Sequence, residues 1–203
     1  MTHVKVCGIR EYEHAIAAAD AGVDALGFVF AESKRKVSLK QAQSISKRLP
    51  DHVKKIGVFV NASREELAES YEFAGLDFVQ LHGNESPLFC EQLNLPFIKA
   101  FRIKGEDDID RIKEFENASY YLLDSASGPY QGGNGTQFNW EFLNEKEVDH
   151  NKLILAGGLN QDNLQKAIEI VQPTMVDVSS GVETNGIKDI HKIKRFIGLA
   201  KQF

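Results

Sequence analysis

The feature that most constrains this chain is an alternation repeated eight times. A short apolar run is followed by a stretch with helical spacing, roughly every 25 residues. Residues 3–7, 24–30, 55–60, 77–82, 97–103, 120–124, 152–156 and 175–179 read as strands. The intervening signals are helical. Gly22 stops a run that starts at Glu11, and Ser38 caps a second that ends before Pro50. Ser63 and Glu66 have capping-box spacing, with Gly75 as the stop for that helix. Ser86–Pro87 opens a short helix, Ile109, Ile112 and Phe115 mark another after Gly105, and a further one lies around Trp140. Asn160 is read as the cap of a helix bearing Leu164, Ala167, Ile168 and Val171, and Ile187, Ile190, Ile193 and Ile197 as the stripe of the last one. Strict alternation argues for a parallel sheet covered by helices. Eight units with no linker favour closure over an open sheet. The expectation is a single (β/α)8 TIM barrel over residues 1–203, near the lower size limit of that fold.

Composition narrows the partners. A net charge of −5 provides no basic footprint, which argues against nucleic acid. No run approaches the ~18 apolar residues of a membrane span, and no secretory leader is visible. Two cysteines, Cys7 and Cys90, allow at most one bridge and have no metal-ligand spacing. The six histidines are scattered singly, so no metal is indicated. The reading is a soluble cytoplasmic protein with no obligate protein partner evident.

Parallel strands buried on both faces usually read as continuous apolar runs. Here polar residues interrupt them near their C-terminal ends. Period two puts Gln80 and His82 on one face and Val79 and Leu81 on the other; it likewise opposes Asp177 and Ser179 to Val176 and Val178. Strand 6 ends in Asp124 and strand 1 in Cys7. Since the valines and leucines face the helices, these polar groups are expected in the barrel mouth, where such folds gather their chemistry. Each has a plainer reading. A lone carboxylate or imidazole can fill a polar layer, and free cysteine is commonly a small core residue. Four strands doing this at one end make the mouth a site.

The ligand is partly legible. Ala156–Gly157–Gly158 after strand 7 and Ser179–Ser180–Gly181 after strand 8 leave backbone N–H groups clear of bulky side chains. Two such loops in adjacent positions point to a phosphate, although glycine also serves simply to turn a strand into a helix. Gly132–Gly133–Asn134–Gly135 lacks the strand–turn–helix context of a dinucleotide fingerprint and reads as a mobile lid. Arg35, in the loop after strand 2, lies where a guanidinium can grip a planar carboxylate, though a charge run of this kind is commonly just a solvated face. Cys90, inside a helix, is read as packing.

These segments resemble one family. KVCGIR, ALGFVF followed by SKRKVS, VQLHG, LLDS, GGNGTQFNW, LAGGL and VDVSSGVE occur in the order found in the phosphoribosylanthranilate isomerases of tryptophan biosynthesis, across essentially the whole chain. The resemblance implies isomerisation of N-(5-phosphoribosyl)anthranilate to 1-(2-carboxyphenylamino)-1-deoxyribulose 5-phosphate, without a cofactor. It further implies Cys7 as general base and Asp124 as general acid, Arg35 on the anthranilate carboxylate, and His82 and Asp177 along the sugar. Gly157, Gly158, Ser179, Ser180 and Gly181 would form the phosphate grip. The chain departs from the family pattern at Asn134 and Asn139 in the lid, and at Lys34 and Lys36, where Pro and an aromatic commonly flank the arginine.

An acid–base pair of this kind starts in the less useful protonation states, since a carboxylic acid titrates near ~4 and a thiol near ~8.5. The expectation is that burial raises Asp124, and that Lys5 or Arg35 favours the Cys7 thiolate. Two rival readings remain. An indole-glycerol-phosphate synthase-like barrel would need a lysine acid, for which Lys99 is a lone candidate. A non-catalytic phosphosugar-binding barrel would keep the glycine loops without needing the Cys7–Asp124 pair.

Overall fold

A computed structural model describes residues 1–125, 140–145 and 148–203. The proposed lid and Asn139 lie outside the described residues. Eight parallel strands close into a barrel in sequence order: β1 (His3–Cys7), β2 (Ala25–Val29), β3 (Lys54–Phe59), β4 (Phe78–Leu81), β5 (Phe97–Ile103), β6 (Tyr120–Ser125), β7 (Leu153–Leu155) and β8 (Met175–Val178). Pairing of β1 with β8, Val4 opposite Val176 and Val6 opposite Val178, makes the closure.

The helices start where the chain supplies an acceptor. Ser38 Oγ takes the Gln41 N–H ahead of α2 (Leu39–Ser46), and Ser63 Oγ takes the Glu66 N–H ahead of α3 (Arg64–Ala74). Each such cap is worth about 1 kcal/mol. Gly75 ends α3 at φ +63°, the left-handed conformation that glycine adopts most cheaply. Ser86 caps the short α4 (Pro87–Glu91). Outward side chains such as Val6, Phe28 and Val79 pack with helix residues such as Ala15, in α1 (Tyr12–Asp20), in one continuous core. Inward ones form a separate apolar layer that includes Ala25, Ile56, Ile98, Leu122 and Ile154. Above that layer the interior turns polar, and Lys5 lies fully buried there.

Three local expectations change. The segment after Gly105 is a single turn, α5 (Asp107–Asp110), that tightens into a 3-10 helix, Arg111–Glu114. Asn160 does not adjoin α6 (Leu164–Val171). Its side chain instead accepts the Asp162 N–H in the preceding turn, and Asn163 occupies the cap position. Ile187 is not on the final helix. Asp189 accepts the N–H groups of His191 and Lys192 and so starts α7 (Ile190–Ala200). Ile187 falls in a small hairpin, β9 (Glu183–Thr184) and β10 (Ile187–Lys188), where it is 54% exposed. Asn185 and Gly186, both at positive φ, make its two-residue turn.

Candidate active site

The C-terminal ends of the strands surround a cavity of about 470 Å3. Cys7, Arg35, His82, Asp124 and Asp177 all line it, together with Gly157, Gly158, Ser179 and Ser180. Cys7 and Asp124 come from strands three places apart around the barrel, so they approach a ligand from different sides. Gly181 is not part of the lining. A Cβ there would sit 2.0 Å from the Leu159 carbonyl oxygen, so this glycine lets the loop after β8 pack against the loop after β7.

Each functional side chain is held by a nameable neighbour. Cys7 is buried beside Val29 and Val58. Opposite it in register is Gly27, where a Cβ would come within 2.7 Å of the Cys7 sulfur. Gly157, at φ +86°, performs the same service for Asp124: a Cβ there would lie 2.9 Å from Asp124 Oδ1. Lys5 Nζ donates to Asp177 Oδ2 at 3.0 Å. Gln80 Nε2 lies 3.2 Å from His82 Nδ1; with the amide donating, the ring proton sits on Nε2, which is 3.6 Å from Asp124 Oδ2. Among the described residues, Gln80 Oε1, His82 Nε2 and Asp177 Oδ1 are buried without a hydrogen-bond partner. Buried polar atoms are nearly always satisfied, so unpartnered ones on residues lining one cavity mark a ligand's place. The N–H groups of Gly158 and Ser180 make no backbone hydrogen bond among the described residues, which suits an anion.

A family model for N-(5'-phosphoribosyl)anthranilate (PRA) isomerase matches residues 4–198. The chain belongs to that family. An N-(5'-phosphoribosyl)anthranilate isomerase from Bacillus cereus is 49% identical over 201 residues, covering 98% of each chain. One from Listeria welshimeri is 46% identical at the same coverage. Among solved structures, phosphoribosyl anthranilate isomerase from Thermotoga maritima superposes with a TM-score of 0.91 at 39% identity, covering both chains completely. A phosphoribosyl anthranilate isomerase in complex with reduced 1-(o-carboxyphenylamino)-1-deoxyribulose 5-phosphate superposes at 0.88 and 37% identity, again over both full chains.

At the thiol, the electrostatics of this PRA isomerase-family site differ from the sequence-based expectation. Burial raises the Cys7 thiol above its ordinary range, although Lys5 and Lys188 pull the other way. Burial also works against Lys5, but Asp177 and Cys7 outweigh it and hold the ammonium charged. Arg35 is not among the main influences on the thiol, and its guanidinium is paired with Glu183: Nε and Nη2 donate to the two carboxylate oxygens at 2.7 and 2.9 Å. His82 is pushed down to about 3 by burial, helped by Lys99, Lys5 and Arg102, and is neutral at pH 7.

Sequence reasoning missed Glu183, Lys188 and Gly27 as parts of the site, and did not foresee that Lys5 pairs with Asp177. Lys5 had a signal: a cation two residues before Cys7 in an otherwise apolar strand shares its face. Lys99 does not line this cavity. Its ammonium donates to Glu85 Oε2 at 2.9 Å and to the Gly83 carbonyl at 3.0 Å. Among the described residues, no three His, Cys, Asp or Glu side chains gather into a set that could hold a metal.

Proposed function

We infer that the chain, acting as one domain over residues 1–203, isomerises N-(5-phosphoribosyl)anthranilate to 1-(2-carboxyphenylamino)-1-deoxyribulose 5-phosphate, with Cys7 as base and Asp124 as acid. The observation that carries this reading is one shared cavity. It holds a thiol, a carboxylate, a guanidinium and two N–H-bearing loops in a chain of the PRA isomerase family. Substrate and product are isomers, so protons and electron pairs move within one molecule and no redox partner is needed.

Asp124 donates a proton to the furanose ring oxygen as the C1–O bond breaks, and the anilino nitrogen lone pair forms the C1 iminium. Cys7 takes the C2 proton, and the released pair makes the C1–C2 double bond of the enolamine. Tautomerisation then leaves the ketone at C2. His82, neutral, can donate from Nε2 to the sugar without competing as an acid. Asp177 Oδ1 and Gln80 Oε1 accept from sugar hydroxyls, and Lys5 supplies positive charge beneath the thiolate as it forms. The phosphate rests on Gly157, Gly158, Ser179 and Ser180, with Gly181 allowing the two loops to meet. The ring carboxylate goes to Arg35. Two free thiols suit a reducing cytoplasm. Among the described residues, no helix is long and apolar enough to cross a membrane.

The test is fluorescence loss on consumption of phosphoribosylanthranilate, with complementation of a tryptophan auxotroph. Cys7→Ala and Asp124→Asn should each lower kcat by about 10²–10⁴-fold. Near-normal turnover in either variant refutes the assignment, and binding without turnover in the wild type favours a non-catalytic phosphosugar binder. The base must be deprotonated to act and burial raises its pKa. Turnover needs this thiolate together with a protonated Asp124, so the kcat/KM profile falls on its alkaline side with the thiol's pKa. Because that pKa is raised, the fall should begin only above the ordinary thiol range of about 8.5.

A further inference from the structure

Arg35 is boxed in rather than free to swing. Its stem crosses Gly8, where a Cβ would stand 2.5 Å from Arg35 Cδ, and its Nε–Nη2 edge is fully committed to Glu183. That leaves the Nη1 nitrogen and the second Nη2 hydrogen, the end-on edge of the fork, with no partner among the described residues. A guanidinium can engage one carboxylate through its side edge and a second through its end edge.

Glu183 is itself fixed from the other side. Lys188 Nζ donates to Glu183 Oε1 at 2.8 Å and to the Ser179 carbonyl at 2.9 Å, while Ser179 Oγ donates to the Cys7 carbonyl at 3.1 Å. Glu183 and Lys188 face each other across the β9–β10 hairpin. All three charged groups are buried, and two cations against one anion leave the cluster one net positive charge.

We propose that Glu183 is a positioning residue that presents the end edge of Arg35 to the substrate's ring carboxylate, with Lys188 anchoring it to the strand end that bears Cys7. This rests on the reading of Arg35 as the carboxylate site. Charge and geometry make opposite predictions here. If Arg35 acted only through its charge, neutralising Glu183 would add net positive charge and tighten an anionic ligand. If Glu183 orients the fork, the same change weakens that ligand.

The experiment compares two ligands on wild type and Glu183→Gln: reduced 1-(2-carboxyphenylamino)-1-deoxyribulose 5-phosphate, and its counterpart lacking the ring carboxylate. The wild type should prefer the first, and Glu183→Gln should weaken it by about tenfold or more while leaving the second unchanged. Equal weakening of both ligands, as a merely structural role would give, overturns the proposal, and so does tighter binding of the carboxylate ligand. A wild type with no preference removes the Arg35 reading and the proposal together. A wild type with a preference that the variant retains removes the proposal alone. Should Glu183→Gln fail to fold, Glu183→Asp decides by the same comparison. It keeps the charge but is one methylene too short to span both the fork and Lys188.

Discussion

Of the buried lysine–carboxylate pairs at this end of the barrel, Lys99–Glu85 and Lys5–Asp177 are finished differently. Lys99 Nζ donates to Glu85 and to the Gly83 carbonyl, with further carbonyls of Leu81 and Ala100 at 3.3 Å. Glu85 Oε1 in turn accepts the N–H groups of Asn61 and Gly83, which ties the loops after β3 and β4 to β5. Lys5 and Asp177 meet at a similar distance, but Asp177 Oδ1 has no partner among the described residues, and neither do Gln80 Oε1 and His82 Nε2 in the lining of the same cavity. A buried ion pair is weak evidence of stability gained, because desolvation offsets the attraction. What separates the two is completion. The Lys99–Glu85 pair is closed on the protein itself, as architecture should be. The Lys5–Asp177 pair leaves capacity open to a ligand.

The largest effect that could break this contrast comes from Lys99→Met. Removing the cation strands Glu85 in the interior, which should cost about 3–5 kcal/mol in urea unfolding while the folded fraction keeps its kcat. A variant that folds stably but loses turnover as deeply as Cys7→Ala would show that the Lys99–Glu85 pair is catalytic rather than structural.

The sequence carried one half of this contrast better than the other. Period two in short strands already placed His82, Asp124 and Asp177 at the mouth with Cys7, because alternation is a local property. The partners of those groups are set by register between strands or by hairpins far along the chain, which no local pattern states. Gly27 lies opposite Cys7 only through the β1–β2 register, and Glu183 reaches Arg35 across 148 positions. One signal for the latter was present. Asn185–Gly186 is a strong two-residue hairpin sequence, yet the isoleucine spacing from Ile187 onward masked it by reading as helix. The turn won because Asp189 caps α7 and leaves Ile187 outside it.

A smaller effect tests the open side of the contrast through pH. His82 titrates near 3 in the folded chain and near its ordinary value of 6.5 when unfolded. In that window the unfolded state binds the extra proton, so the contribution is complete above about 6.5 and is lost as pH falls towards 3. Between about pH 7 and pH 5, urea unfolding should lose about 2 kcal/mol in the wild type that His82→Asn does not lose. Equal losses in both chains would mean that the imidazole is solvated and charged in the fold, and that the cavity wall is looser than its unpartnered atoms imply.

The smallest effects come from two glycines that divide along the same line. Gly75 has open space around the missing Cβ but sits at φ +63°, so Gly75→Ala should cost about 1 kcal/mol through backbone conformation alone and leave kcat untouched. Gly27 has no positive φ to defend; a Cβ there meets Cys7 instead, 2.7 Å from the sulfur and 3.1 Å from the backbone α-carbon. Rotating the thiol relieves part of that overlap. The crowding against the Cys7 backbone yields only if the β1–β2 spacing widens, and overpacking of this kind costs about 1–3 kcal/mol. The thiol then points away from where it takes a proton, so Gly27→Ala should lower kcat while Gly75→Ala does not, even when the two are matched in stability by choice of temperature. Equal kcat in the matched pair would place the sulfur's working position somewhere other than against Gly27, and with it the geometry by which β1 offers its base to the cavity.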